Sequence, residues 1–551
     1  MYDLRGQPPV KVQSAATKRD AIGRPEETRF NPVQSSSSSH LGSPLWGRPP
    51  VCRRRGPPVP HGVGDSANWQ TGGLPHRGQK ENCRQSTSLP CGPFLQFPVQ
   101  FSKLPLVLLF ISCLLAFSSR AATFVTISET GPSSNRLDIV FLAESYTSAQ
   151  SARFFTDATN ALAGLLSHEP LASYRNAFNA YAIYVASPQS GSDHLGLSRN
   201  TYFNSGYDPV LDFIITIPLD DQGQGKVDAL LQTYKPDADL PVLLVNDPVP
   251  GGSDGFGATA IVSVGSGASD LLAHEVGHVL AGLGDEYETP YPGFPDTEEP
   301  NTTRETQRDR IKWKAWIAPE TPLPTPETLD FEQTVGLFEG AHYHSAGWFR
   351  PKLDCKMNHP PVAFCEVCSE ALVLAIYSKV RPIDAVAPLP SQPVLAAGAP
   401  LVFGVALLEP VPNTLHLQWL TNGTAMAGAT ATNLLLSPAS IPAGSNTVAV
   451  RVFDATGLVR TDPADLRAET ITWSVLVQPP AQLRLEQPHR TADGMFAFRV
   501  IGAPEKGVVI DSSGELPNWT PVFTNAPSPP SFWFSNSVSS AAQFFRARLL
   551  P

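Results

Sequence analysis

The chain has 551 residues, 16% of them charged, with 55 prolines and a formal net charge of −10. That length fits three or four domains rather than one. Setting aside the first 122 residues leaves 25 basic against 44 acidic residues, a balance of −19 that argues against nucleic acid or an anionic membrane as partner.

Residues 1–100 hold thirteen Lys and Arg against six Asp and Glu, with SSSSS, RRR and many prolines. They show no apolar periodicity and read as a disordered extension or one outside the native product. Lys103, the apolar run LPLVLLFISCLLAF and then SSRAAT have the anatomy of a signal peptide over 101–122. The run is shorter than the about 20 residues of a comfortable span. A signal-anchor that keeps a basic tail is the competing reading. The expectation is export to the extracellular space, cell surface or periplasm, without stable membrane insertion. Cys113 inside the apolar run does not read as a lipidation site, and Cys52, Cys83 and Cys91 lack supporting context.

From 123 to 382 strands and helices alternate. RLDIVFLAESY predicts a buried strand leading into the amphipathic helix SAQSARFFTDATNALAGLLS. AFNAYAIYVAS and DLPVLLVNDP are further strands, and GSGASDLLAHEVGHVLAGLG is a helix with Ser269 or Asp270 placed to cap it. The region is an α/β (α+β) domain. RPIDAVAPLPSQP marks a linker. Beyond it, alternating segments over 390–478 predict an all-β Ig-like sandwich with Trp419 in its core. Residues 481–551 predict a small β-rich module. Surface or glycan contact is the partner expectation for these C-terminal segments.

The chemistry sits in His274-Glu275-Val276-Gly277-His278. Two histidines four apart share a helical face and can hold one Zn²⁺, and the adjacent Glu275 can take a proton from a zinc-bound water. A third ligand requires the helix to end. Gly282 and Gly284 supply the break and Asp285 follows, which makes it the favoured third ligand. Glu286 and Glu288 are near alternatives, and Glu298 or Glu299 would serve in the geometry that draws a glutamate from further on. A histidine motif, a glycine and then a ligand is the logic of metzincin zinc enzymes. This chain departs from their spacing: Ala281 and Gly284 stand where glycine and the ligand are wanted, so the run is one residue longer.

HEVGHVLAGLGDEY resembles the zinc motif of the bacterial IgA-peptidase family of metallopeptidases. LDIVFLAESYT, FNAYAIYVASPQSGSD, LLVNDP, PNTT with IKWKAWI, VGLFEGAHY, GWFRPKLDCKM and FCEVC carry the same resemblance in order from about 137 to 370. The resemblance implies a metzincin-like fold, one zinc and endopeptidase activity on a protein or peptide. It does not imply that immunoglobulin is the substrate. Met357, in DCKMNHP, matches the family's CKM run and implies a methionine turn beneath the zinc histidines.

In an exported protein Cys355, Cys365 and Cys368 predict a disulfide from Cys355 to Cys365 or Cys368; a structural zinc is the other reading. Tyr343 could donate a hydrogen bond to a developing oxyanion or be a buried structural tyrosine. His359 could do the same or sit on the surface. SGSD (190–193), NDP (246–248) and GGSDGFG (251–257) have oxygen-rich loops that could take Ca²⁺, and plain turns explain them as well. Two other functions share these residues: an adhesin or glycan-binding protein with an inactive peptidase-like domain, and a zinc amidase acting on cell-wall peptides.

Overall fold

The structure, a computed structural model, describes residues 122–550 apart from 256–257, 292–293, 390–391, 397, 480–481, 503–506, 526–529 and 539–541. All of them belong to the second of two compact units, Lys103–Pro551. The N-terminal extension, the signal-like segment to residue 121 and Cys52, Cys83, Cys91 and Cys113 lie outside the described residues.

A six-stranded mixed sheet organises the first part. Its elements are β1 (Thr123–Ser128), β2 (Leu137–Glu144), helix α1 (Ser151–Leu165), β3 (Phe178–Tyr184), the short pair β4 (Gly206–Tyr207) and β5 (Ile215–Thr216), and helix α2 (Gln224–Tyr234). Then come β6 (Leu240–Val245), β7 (Gly252–Ser253), β8 (Ala260–Ser263) and helix α3 (Ala268–Ala281). The order in the sheet is β1-β3-β2-β6-β8-β7, with β3, β2, β6 and β8 parallel and the two edge strands antiparallel.

The central strands are buried on both faces, which is why they read as continuous apolar runs. Alternate β2 residues sort to opposite sides. Leu137, Ile139 and Phe141 join Phe154 and Leu162 of α1 and Leu272 and Val276 of α3. Val140 and Leu142 join Val227 and Leu230 of α2. The hairpin β9 (Phe338–Ala341) and β10 (His344–Arg350) and helix α4 (Glu366–Tyr377) follow, and α4 adds Cys368, Leu372 and Ile376 to the α1–α3 side. Among the described residues no helix is long and apolar enough to cross a membrane.

The rest is β. Ile383–Ala387, Leu401–Leu407 and Asn433–Leu436 form one antiparallel sheet. Gly444–Asp454 sits inside a second, five-stranded sheet, flanked by Leu415–Thr421 and Ala468–Val477. The two sheets share a core in which Phe403 meets Trp473 at 5.3 Å and Trp419 at 6.4 Å between ring centroids. Two further three-stranded sheets over 484–549 enclose Phe498 and Phe534. Buried Asp454 ties the β region to the α/β part: its Oδ2 accepts from the hydroxyls of Tyr174 at 2.6 Å and Tyr377 at 2.9 Å.

Candidate active site

Helix α3 carries the histidines. It starts through Gly267, whose φ of 76° turns the chain out of the sheet, so neither Ser269 nor Asp270 caps it. Both side chains are engaged elsewhere: Ser269 Oγ lies 2.9 Å from His168 Nε2, and Asp270 pairs with the Lys356 ammonium at 2.9 Å. The helix ends at Gly282, left-handed at φ 61°, with its N–H donating to His278 O. Gly284 lies close against Glu299: a Cβ there would stand 2.6 Å from Glu299 Oε2 and would push that side chain aside.

The turn at Gly282 brings Asp285 back over the helix face. Asp285 Oδ1 lies 3.2 Å from His274 Nε2 and 3.4 Å from His278 Nε2, and the two nitrogens are 3.1 Å apart. Each imidazole is fixed from behind. His274 Nδ1 donates to Lys356 O at 2.9 Å, and His278 Nδ1 donates to Leu283 O at 2.6 Å. With Nδ1 carrying the proton, both Nε2 atoms turn lone pairs towards the same point. Asp285 Oδ1 turns a third, and it is buried with no hydrogen-bond donor. Three converging lone pairs repel one another unless a cation sits between them, so these residues form a candidate metal site.

The local field favours positive charge at this point, whether a proton or a metal ion supplies it. Burial opposes charge on His278, yet the facing Asp285 outweighs it and lifts the imidazole to about 10. Burial likewise works against ionised Asp285, and the two histidines still hold it well below the usual carboxylate range. Glu275 is buried, with a carboxylate oxygen within 4.8 Å of a nitrogen of each histidine. Burial pushes it up to about 7 against the pull of the two imidazoles. It lies against β7, where a Cβ on Gly252 would come within 2.6 Å of Glu275 Oε1.

Met357 is fully buried beneath the helix, its Sδ 3.0 Å from where a Cβ on Gly277, the residue before His278, would stand. The other carboxylates weighed as ligands go elsewhere. Glu286 turns to Asn301 and the cysteines, Glu288 is exposed beside Gly340, Glu298 pairs with Lys312 at 3.0 Å, and Glu299 faces His342 at 3.0 Å.

Tyr343 is open to two readings from the sequence, oxyanion donor or structural tyrosine. It occupies the tip of the β9–β10 hairpin with His342, both at positive φ (57° and 53°). Its hydroxyl donates to Asp285 Oδ2 at 2.5 Å, so it holds a candidate ligand instead of facing open space. Tyr287 is the hydroxyl that sequence reasoning missed. Its ring lies 6.2 Å from that of His274, and its pKa is pushed up by burial and then by the charges of Asp285 and Glu275. Asn301, which clamps Gly284 through both backbone groups, and Lys356, fully buried, were also unassigned. PNTT and CKM were visible as motifs, but not what their polar groups touch.

The expected disulfide is not formed: Cys355, Cys365 and Cys368 are buried free thiols, with Cys355 Sγ 3.6 Å from Cys368 Sγ, far beyond a bond of about 2.05 Å. His359 is exposed and pairs with Asp354 at 2.7 Å. The oxygen-rich loops spend carboxylates on themselves. Asp247 accepts from the N–H of Ser192 and of Val249, each at 3.0 Å. A cleft of about 800 Å³ lined by Ser192, His194, Arg199 and Asp247 contains none of the histidine-motif residues, and its volume says nothing about their chemistry.

Residues 125–333 and 327–376 match the family model described as IgA Peptidase M64. No curated protein matches the chain. Among solved structures, similarity is found to a quinonprotein alcohol dehydrogenase-like protein of Bacteroides thetaiotaomicron, at 17% identity over 21% of this chain and 24% of that one, TM-score 0.13. This chain thus spans about a quarter of that protein's length. The fibronectin(III)-like modules of Clostridium thermocellum CbhA are 8% identical over 30% of this chain and 83% of theirs, TM-score 0.13. At these scores neither likeness carries an argument.

Proposed function

We propose, on the premise that the chain belongs to the IgA peptidase M64 family through residues 125–376, that it is a secreted zinc endopeptidase with Glu275 as its general base. Membership makes it a metallopeptidase whose substrate is a protein or peptide; the family's name does not assign immunoglobulin to this member.

The observation that carries the reading is the convergence of His274 Nε2, His278 Nε2 and Asp285 Oδ1, spaced 3.1, 3.2 and 3.4 Å apart. Ligands at about 2.0–2.1 Å from a tetrahedral zinc stand about 3.3–3.4 Å from each other, so the spacing supports zinc. Three protein ligands leave the fourth position for chemistry. When bound, zinc supplies Lewis acidity, lowering the pKa of a water it holds towards about 7 and polarising a carbonyl oxygen. Glu275 takes the proton from the attacking water, keeps it on a carboxylate oxygen shielded by burial, and gives it to the leaving amine nitrogen. Tyr287 is assigned to hydrogen-bond the oxyanion as it develops, because the Tyr343 hydroxyl is committed to Asp285. Met357 keeps the helix at its height above the turn. Secretion is inferred from Lys103 and the apolar run after it.

The deciding experiment measures metal content and casein cleavage of the purified chain beside Glu275→Gln. The expected result is zinc in both and cleavage in the wild type only, with the variant slowed by at least about 10²–10⁴-fold. Cleavage by Glu275→Gln at the wild-type rate removes Glu275 as base. Absence of zinc from both proteins sinks the metal site and favours a binding protein.

A further inference from the structure

Beside the histidine cluster lies another group of donors that the reaction does not use. Cys355, Cys368 and Glu286 are 0% exposed and Cys365 3%, and one donor atom from each lies within 4.8 Å of all the others. Cys355 Sγ is 3.6 Å from Cys368 Sγ, which is 3.5 Å from Glu286 Oε1. Sulfur ligands about 2.3 Å from a tetrahedral zinc stand about 3.8 Å apart, close to that spacing.

The group is also poised for a cation. Glu286 Oε2 is buried with no hydrogen-bond partner, an expensive state for a carboxylate without a counter-charge. Its Oε1 is held in place by Asn301 Nδ2 at 2.8 Å. Cys365 stands at the N-cap position of α4 and Cys368 lies in its first turn, so the positive end of the helix dipole faces the cluster. The Cys365 N–H donates to Cys355 Sγ at 3.3 Å and orients that sulfur within the group. A disulfide would satisfy two of these groups and strand Cys365 and Glu286.

We propose that Cys355, Cys365, Cys368 and Glu286 bind a second, structural zinc ion, closed to substrate by four protein ligands. Three soft thiolates and one carboxylate in a tetrahedral arrangement select zinc over harder cations. The ion ties two segments that build the histidine cluster to the start of α4. Glu286 follows Asp285 directly, and its N–H donates to Met357 O at 2.9 Å. Cys355 precedes Lys356, whose carbonyl orients His274. The ligands differ from those of the proposed reaction, so the two assignments stand or fall separately.

The test uses the full chain with His274→Ala and His278→Ala together, which empties the first site. Zinc by mass spectrometry should fall from two per chain in the wild type to one in this double variant, and to none when Cys365→Ala is added. Cobalt in place of zinc should give the double variant the near-ultraviolet band of sulfur-to-cobalt charge transfer. A folded double variant that holds no zinc and shows no sulfur–cobalt band overturns the proposal. So does peptide mapping of the non-reduced protein that finds Cys355 joined to Cys368. Should Cys365→Ala fail to fold, the cobalt spectrum of the double variant decides alone.

Discussion

Asp285 and Glu286 are neighbours in the chain, and each completes a different cluster. Asp285 joins two imidazoles in a group of three donors whose side chains keep some exposure, 13% at Asp285 and 11% at His278. Glu286 joins three thiols in a group of four that solvent barely reaches. An extended stretch sends successive side chains to opposite sides, so one residue step carries the chain from the partly exposed cluster to the closed one. The supports differ as well. The histidines lean on backbone carbonyls and Asp285 on the Tyr343 hydroxyl, whereas the thiols lean on a helix N-terminus and Glu286 on Asn301.

The largest effect should come from His278→Ala. It removes one of three donors from the open cluster and should abolish both its metal and peptide cleavage, while the cysteine cluster keeps its own ion. Metal analysis and casein cleavage on one preparation check this, and retained activity would break the comparison. Tyr287→Phe comes next. If Tyr287 stabilises the oxyanion, kcat should drop by about 10²–10³-fold with bound metal unchanged. Tyr343→Phe should show the reverse. It deletes the hydrogen bond to Asp285 Oδ2, so zinc affinity should weaken by about 10–100-fold, with kcat recovering at saturating zinc. A kcat loss that added zinc cannot repair would return the oxyanion role to Tyr343.

Much of the candidate site could be read from the sequence, because it depends on spacing along one helix and on the break that ends it. His274, Glu275 and His278 form a five-residue motif, and Gly282 announces the turn that delivers Asp285. What could not be read depends on contacts across the fold. The position of Tyr343 follows from a two-residue hairpin turn with both residues left-handed, a conformation normally taken by Asn-Gly pairs and not expected of His342-Tyr343. Asn301 reaches Gly284 and Glu286 from 15–17 residues away. Ser269 and Asp270 looked like caps because local rules favour them there, but His168 and Lys356 claim them. The thiols were read from the redox setting of an exported chain, whereas their pairing depends on how Glu286 is placed among them. Trp419 was legible because strand alternation places every second residue inward.

Met357 touches the surroundings of both clusters, and its substitution should have the smallest effect. Its Sδ fills the space under Gly277 in the helix, its carbonyl accepts the Glu286 N–H, and it lies two residues from Cys355. If its role is packing, Met357→Leu keeps the volume and should cost less than about 1.5 kcal/mol in stability. Cleavage should stay within a few-fold of wild type, with both ions retained. Met357→Ala opens a cavity and should cost about 2–5 kcal/mol. Because the backbone of this turn carries both the Lys356 carbonyl and the Cys355 thiol, that loss should loosen the two ions together. Thermal melts with and without a chelator, read beside casein cleavage, separate the outcomes. Should Met357→Leu silence the enzyme while leaving its melting temperature and metal content unchanged, the thioether would be acting on the histidine cluster by something other than its shape.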